Sequence, residues 1–319
     1  MPSTLIAQVA RRVVLGVLML LGVSALIFAG TQLLPGDVAQ SILGQEATPE
    51  AVANLRKEMG LNDPAITRYA HWLGGAVTGD FGRALSNGQP ISATLGKRLY
   101  NTLFLAFWAA LVSVPLAIGL GIIAVRHRNG FIDRTISGLG LASVSLPEFF
   151  VGYVLMYFFA VKLQWVSSVS TVFDGMPLSE RLGAIVLPVA VLTMAVLAHM
   201  MRMTRAAIMN VMQSAYIETA ELKGLGALRI IYRHALPNAL APIINVVMLN
   251  LAFLVVGVVV VEVIFVYPGM GQFLVDHVSK RDVPVVQACG LIFATVYIGL
   301  NIVADIAGIM SNPRLRHPK

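Results

Sequence analysis

The sequence predicts an all-α polytopic membrane protein with six transmembrane helices. Of its 319 residues, 57% are apolar and 12% are charged, against roughly 25% charged in soluble domains. The mean hydropathy of +0.79 also favours a bilayer over water. A spanning helix needs about 20 mostly apolar residues. Six runs meet that need: 12–34, 102–125, 136–161, 183–201, 239–263 and 283–310.

The first run is interpreted as an uncleaved span. Its apolar stretch is longer than the roughly 7–15-residue core of a signal peptide, and no A-x-A cleavage site follows it. Arg11 and Arg12 then serve as its cytoplasmic anchor. The predicted organisation is an anchor and first helix (1–34), an extracytoplasmic subdomain (35–101), a five-helix core (102–310) with a cytoplasmic segment 202–237, and a cytoplasmic tail (311–319).

The basic residues orient the spans, because short cytoplasmic loops carry an excess of Lys and Arg. One side would hold Arg11, Arg12, Arg126, Arg128, Arg134, Arg202, Arg205, Lys223, Arg229, Arg233, Arg314, Arg316 and Lys319. The short loops on the other side would hold Lys162, Arg181, Lys280 and Arg281. Both termini are therefore expected in the cytoplasm. Topology accounts for the net charge of +7, so nucleic acid is not an expected partner.

The subdomain 35–101 is polar and rich in turn signals, namely "LPGD", "LNDP", "TGDFG" and "SNGQP". A helix is predicted over 50–59, with Thr48 as its cap and Pro49 opening it.

The segment "SAYIETAELKGLGALRIIYRHALPNALAP" interrupts the apolar pattern between the fourth and fifth spans. Ser214 is a predicted N-cap, and Glu218 and Glu221 suit the early turns of a helix. The glycines of "KGLG" would end that helix, and a second helix would restart at Ala227 and continue past Pro237.

One face of the first short helix is predicted to hold Ile217, Ala220, Glu221 and Gly224 by their spacing. Two of these residues are very small, so a partner could approach the backbone closely. The alternative is a solvated loop with short helices lying on lipid headgroups.

The stretch "ETAELKGLGALRIIYRHALP" resembles the EAA motif of ABC-importer permeases, with Glu218, Ala220, Gly224, Leu236 and Pro237 at the matching positions. Thr219 and His234 depart from that motif. In the family the motif forms the coupling helix that docks on an ATPase subunit. The resemblance therefore implies an ATPase-coupling surface of Glu218, Thr219, Ala220, Glu221, Lys223, Gly224, Leu225, Leu236 and Pro237.

Further stretches are similar to the first permease of dipeptide, oligopeptide and nickel importers, among them "GDFGRAL", "RLYNTLFL" and "EVIFVYPGMGQFLVDHVSKRDVPVVQ". This resemblance implies a type I ABC importer (MetI-like) permease fold in a bacterial cytoplasmic membrane. The implied partners are a second homologous permease, two ABC ATPase subunits that bind ATP and Mg, and an extracytoplasmic substrate-binding protein. Docking of the binding protein is expected at Asp80, Phe81, Gly82, Tyr267, Pro268, Gly269 and Gly271.

Candidates for the translocation path or its gate are the polar or helix-breaking residues within the spans, Pro147, Glu148, Asn245, Asn250 and Glu262. An ionisable residue in mid-membrane is costly and should face a cavity or a partner. Glu148 meets that description, beside a proline that can open the helix. The asparagines are expected to make interhelical hydrogen bonds.

Glu262 ends the fifth span, and a structural ion pair with Lys280 or Arg281 is expected for it. Cys289 is expected to be a buried, inert thiol.

The sequence contains no G-x4-G-K-[ST] loop, G-x-S-x-G elbow or H-E-x-x-H pair. The chain is therefore expected to be a transport subunit without an ATPase site, catalytic residues, cofactor or metal site of its own. Import of nickel or another small solute is the alternative within this class. From other classes, a self-sufficient secondary transporter or channel is the alternative, and a membrane enzyme would need a catalytic constellation.

Overall fold

The computed structural model describes residues 2–33, 38–44, 47–58 and 60–311, and they are predominantly helical. The helices are α1 (Pro2–Gln32), α2 (Val38–Leu43), α3 (Pro49–Glu58), α4 (Ala65–Thr78), α5 (Ile91–Arg126), α6 (Phe131–Ser145), α7 (Glu148–Leu155), α8 (Leu178–Ala184), α9 (Val186–Met212), α10 (Ala215–Leu222), α11 (Ala227–Ile230), α12 (Leu236–Ile264), α13 (Met270–Ser279) and α14 (Val283–Ser311). π-Helical turns follow α7 (Met156–Lys162) and α11 (Ile231–Ala235).

Five helices in the described residues are long and apolar enough to cross a membrane, and a bent pair gives a sixth when it is counted as one span. The five are Ile6–Gln32, Ile91–Arg126, Val186–Met212, Ala227–Ile264 and Val283–Met310. In the bent pair, Phe131–Ser143 and Glu148–Lys162 meet at 101°. The bend falls at Pro147, whose ring disfavours a helical residue before it. Five of the six predicted spans are therefore confirmed as long apolar helices, and the predicted third run is divided into two helices at the proline.

The bundle has two ends. The α10 end holds the C-termini of α5 and α9 with α10, and the α13 end holds α2–α4, α8 and α13. α5 begins at Ile91, about three turns before the predicted start of the second span. α9 likewise continues to Met212, about three turns beyond the predicted end of the fourth span. Both helices continue into segments that contain polar residues. Apolar length alone therefore predicts the membrane span but not the full length of the helix.

The core of the bundle lies where α5, α9 and α12 pack together. Small residues bring these helices close, since a Cβ on Gly121 would clash with Thr204 of α9. Gly140 of α6 similarly lies against Ala198 and Met201 of α9. α9 is thus the central helix of the bundle and contacts α5, α6, α7 and α12.

α1 packs on α14 at the edge of the bundle. Arg12 and Asp305 form an ion pair of 2.9 Å between these two helices. At the α13 end, the ring of Tyr69 on α4 contacts Phe28 of α1, and its hydroxyl lies 2.7 Å from the Ser24 hydroxyl.

The local predictions for the polar subdomain are confirmed where the chain is described. The Thr48 hydroxyl accepts a hydrogen bond of 3.2 Å from the Ala51 N–H at the start of α3. Gly79 ends α4 with φ +85°, and Gly82 and Gly88 have φ +76° and +68° in the following turns. Residues 34–37, from the "LPGD" signal, lie outside the described residues.

Candidate functional site

α10 packs at one end of the bundle, with one buried and one exposed face. Ile217 and Ala220 are buried and pack against Ile230 and Ile231, which follow in the chain. Glu221 and Gly224 do not share that burial and are exposed. The expected single face of small residues for a partner is therefore wrong, because Ala220 is used for packing within the chain.

Only the exposed face of α10 is accessible to another protein, because the buried face is packed within the chain. It carries Glu218, Thr219, Glu221 and Lys223, which were predicted as coupling residues and are exposed. It also carries Leu222, whose exposed fraction of 84% is among the highest for an apolar residue here. The sequence alone does not single out Leu222, because whether a leucine of a short helix is buried or exposed depends on how that helix packs. Leu225 and Leu236 are half-buried and Pro237 is exposed.

Gly224 ends the helical segment in the left-handed conformation, with φ +76°. Open space surrounds the position where its side chain would lie, so conformation alone requires glycine there. Gly226 differs, since its φ is −66° and it precedes α11. Ser214 stands at the N-cap of α10 as predicted, but its hydroxyl donates to the Val211 carbonyl at 2.5 Å and does not cap the helix.

Hydrogen bonds tie α10 to the start of α12. The Tyr216 hydroxyl donates to the backbone carbonyl of His234 at 3.1 Å. The Asn238 side-chain amide donates to the Tyr216 hydroxyl at 3.0 Å and to the same carbonyl at 2.8 Å. His234 lies in the π-helical turn before Pro237, a residue that has no N–H and crowds the preceding turn.

This geometry accounts for the two departures from the motif. His234 contributes its backbone carbonyl, which any residue at that position supplies. The Thr219 hydroxyl donates to the Ala215 carbonyl of its own helix at 3.1 Å, so it needs no partner elsewhere.

An ion pair between α6 and α9 stabilises the α10 end of the bundle. Arg205 of α9 donates two parallel hydrogen bonds to the buried Asp133 of α6, from Nε at 2.8 Å and from Nη2 at 2.7 Å. The backbone N–H of Asn129 also donates to this carboxylate at 3.0 Å. The bidentate geometry fixes α6 against α9 where both helices approach α10.

Glu262 is fully buried at the α13 end and does not form the predicted pair with Lys280 or Arg281. Its carboxylate accepts hydrogen bonds from the Thr102 hydroxyl at 2.6 Å and from the backbone N–H groups of Gly271 at 2.7 Å and Gln272 at 3.1 Å. The carboxylate thereby satisfies the free N–H groups at the start of α13. This residue joins α5, α12 and α13 within the chain.

The turn after α12 is part of the same buried network, which corrects its assignment to the docking surface. Tyr267, Gly269 and Gly271 are buried within the chain. The Tyr267 hydroxyl donates to the Asn101 carbonyl at 2.9 Å, and burial raises the pKa of that hydroxyl to about 12. A Cβ on Gly269 would overlap the Glu262 carboxylate.

The exposed part of the predicted docking surface is consequently smaller. Asp80 and Gly82 are exposed, and the Asp80 carboxylate accepts a 2.9 Å hydrogen bond from the Gly82 N–H. Phe81 and Pro268 are half-buried. The Pro268 carbonyl accepts a 2.8 Å hydrogen bond from the side chain of Asn101.

The remaining path candidates differ in their surroundings. Pro147 is exposed at the bend, and Glu148 begins α7 with one buried carboxylate oxygen that has no hydrogen-bond partner. Asn245 is exposed on α12. The Asn250 amide lies 3.3 Å from Nδ1 of His199 on α9, so the predicted interhelical hydrogen bond is confirmed for Asn250.

Comparison with known proteins identifies the fold family. The profile of the binding-protein-dependent transport system inner membrane component matches residues 117–317, and the profile of its N-terminal region matches residues 5–106. The chain belongs to this family. It is therefore a multi-pass inner-membrane protein with the type I ABC importer permease fold, and a subunit of a transport system.

Similar proteins match over nearly their whole length. A probable peptide ABC transporter permease of Sinorhizobium fredii is 32% identical over 309 residues, which cover 97% of this chain and 99% of the relative. A putative peptide transport system permease of Brucella abortus is 34% identical, with 98% and 99% coverage. The glutathione transport system permease of Escherichia coli K12 is 34% identical, with 92% and 94% coverage.

One similar solved structure is an inward-facing conformation of the MetNI methionine ABC transporter. Its TM-score is 0.49 at 18% identity, and the match covers 70% of this chain and 95% of that one.

Proposed function

We propose that this chain is a permease subunit of an ATP-driven peptide importer and that its α10 end faces the cytoplasm. Relatives named for peptide or glutathione transport match more than nine-tenths of the chain, which supports a peptide cargo. The excess of Lys and Arg at the α10 end supports the orientation. With a second permease, the chain forms the path through the membrane.

The observation that carries the proposal is the two-sided character of α10. Its inner face is packed against residues of this chain, while Leu222 and the charged residues around it are left exposed. A helix that is fixed by packing on its buried face and presents an apolar residue on its exposed face is suited to docking in a groove of another protein. An ATPase subunit is the proposed occupant, since no phosphate loop occurs in this sequence.

Coupling then follows from the contacts of α10. When ATP binding closes the two ATPases, α10 moves with the subunit on which it is docked. Tyr216 and Asn238 transmit this movement to the start of α12, and the packing of Ile217 transmits it to α9. These two helices would line the path, so their displacement alternates its opening between the two sides of the membrane.

The proposal is tested by purifying the complex from native membranes and reconstituting it in proteoliposomes. We expect two ATPases and a second permease to co-purify, and labelled peptide to enter only with ATP and a binding protein. Uptake of nickel but not peptide would support the alternative cargo. Transport by this chain alone, driven by an ion gradient, would overturn the proposal in favour of a secondary transporter.

Tyr216→Phe tests the coupling step. The substitution removes the hydroxyl that donates to His234 and accepts from Asn238, at a cost of about 1 kcal/mol. We expect ATP hydrolysis to continue while the peptide imported per ATP falls. The matched control is Tyr232→Phe, because Tyr232 is exposed in the neighbouring π-helical turn. An equal effect of both substitutions would contradict this role of Tyr216.

A further inference from the structure

His199 is an exposed polar residue about halfway along α9. It has no part in the roles proposed so far for this chain. It lies on α9 beside Asn250, which stands halfway along α12. Its neighbours Ala198 and Met201 contact Gly140, about 13 Å along α6 from the first residue of that helix. With a hydrocarbon layer of about 30 Å, both contacts put His199 close to mid-depth.

The hydrogen bonds fix which nitrogen of the ring carries the proton. The Asn250 Nδ2 donates to the Val246 carbonyl at 2.8 Å, which sets the orientation of the amide. Its other N–H points to His199 Nδ1 at 3.3 Å, so Nδ1 is an acceptor. The neutral ring then bears its proton on Nε2. Within the described part of the chain, no acceptor for that Nε2–H is observed.

The side of α9 on which His199 lies carries further exposed polar residues towards the α10 end. Arg202 and Asn210 are exposed on the same side of the helix, between His199 and the α10 end. The half of α9 before His199 is instead largely packed inside the bundle. Asn210 lies near the end of α9, whereas His199 and the adjacent Arg202 lie close to mid-depth. Exposed polar groups at that depth are expected to face a water-filled cavity or path, because lipid offers them no hydrogen bonds.

We propose that His199 contacts the substrate halfway along the path, where its Nε2–H donates a hydrogen bond to an oxygen of the passing peptide. Asn250 is the positioning residue that keeps the ring in the donor state. The ligand chemistry is that of a hydrogen-bond acceptor, either a backbone carbonyl or the terminal carboxylate. This inference rests on the proposed function as a peptide importer.

The test uses the intact complex in proteoliposomes, loaded binding protein and a radiolabelled tripeptide that the wild type imports. The peptide must leave the binding protein for the path, so a weaker contact lowers the fraction transferred per cycle. Loss of one hydrogen bond corresponds to about fivefold. We expect His199→Leu to reduce the peptide imported per ATP by about that factor. His199→Gln retains an N–H donor and should restore most of the uptake.

The control is Val186→Leu, an exposed apolar position at the start of α9 on another side of that helix, which should leave uptake unchanged. Repeating the assay with the C-terminally amidated peptide identifies the acceptor. A smaller effect of His199→Leu on the amide assigns the terminal carboxylate, and an equal effect assigns a backbone carbonyl.

Unchanged uptake in His199→Leu would overturn the inference while leaving the importer function standing. Loss of the second permease from the purified variant would also overturn it, because His199 would then be an interface residue. A wild-type complex that imports no peptide would instead contradict the proposed function.

Discussion

Replacing Gly224 by alanine isolates the contribution of one backbone conformation to coupling. Gly224 has φ +76° and open space around it, so a methyl group meets no neighbour and the whole cost is conformational. The left-handed conformation costs a residue with a Cβ about 1–2 kcal/mol. If the docked state requires this turn, the affinity for the ATPase subunit falls by about fivefold to thirtyfold.

The assay is titration of the purified membrane subunits with the purified ATPase subunit in detergent. Gly226→Ala is a matched control two residues away, since Gly226 is equally open but has φ −66°. We expect normal affinity for Gly226→Ala and reduced affinity for Gly224→Ala. Equal affinities of the two variants would refute the reasoning that the left-handed turn shapes the docking surface.

Two further substitutions test the contacts that hold the bundle together. Gly269→Ala should lower the free energy of unfolding by about 1–3 kcal/mol, because a methyl group would displace the buried carboxylate from its hydrogen bonds. Gly299→Ala, with open space around it, is the control in thermal unfolding. Arg205→Lys should cost about 1–2 kcal/mol, since lysine cannot form both parallel bonds to Asp133. Arg229→Lys, at an exposed position, should be neutral in the same measurement.

The spans and the short helices between α9 and α12 could be predicted because each is a local property of the sequence. Apolar length defines a spanning helix, and the glycine after α10 and the proline at the start of α12 limit the segment between them. Of the motif positions, Glu218, Thr219, Glu221 and Lys223 are exposed, and their role in docking an ATPase stays a prediction.

The buried polar contacts could not be predicted, because they depend on which helices become neighbours. Glu262 was expected to find a nearby cation in the chain, and it instead binds Thr102 and the start of α13. Tyr267 and Gly269 were assigned to a docking surface for the same reason, since a turn sequence does not reveal what covers it. His199 belongs to no motif of the sequence, and its partner Asn250 lies on another helix.

Site-specific photocrosslinking in native membranes tests the central claim, that the exposed face of α10 is where an ATPase docks. A photoreactive residue is placed at Leu222, which is 84% exposed, and in a control at Val77 of α4, which is 80% exposed at the opposite end. We predict a crosslink from position 222 to an ATP-binding subunit and none from position 77. A crosslink to that subunit from position 77 but not from position 222 would contradict both the docking site and the orientation.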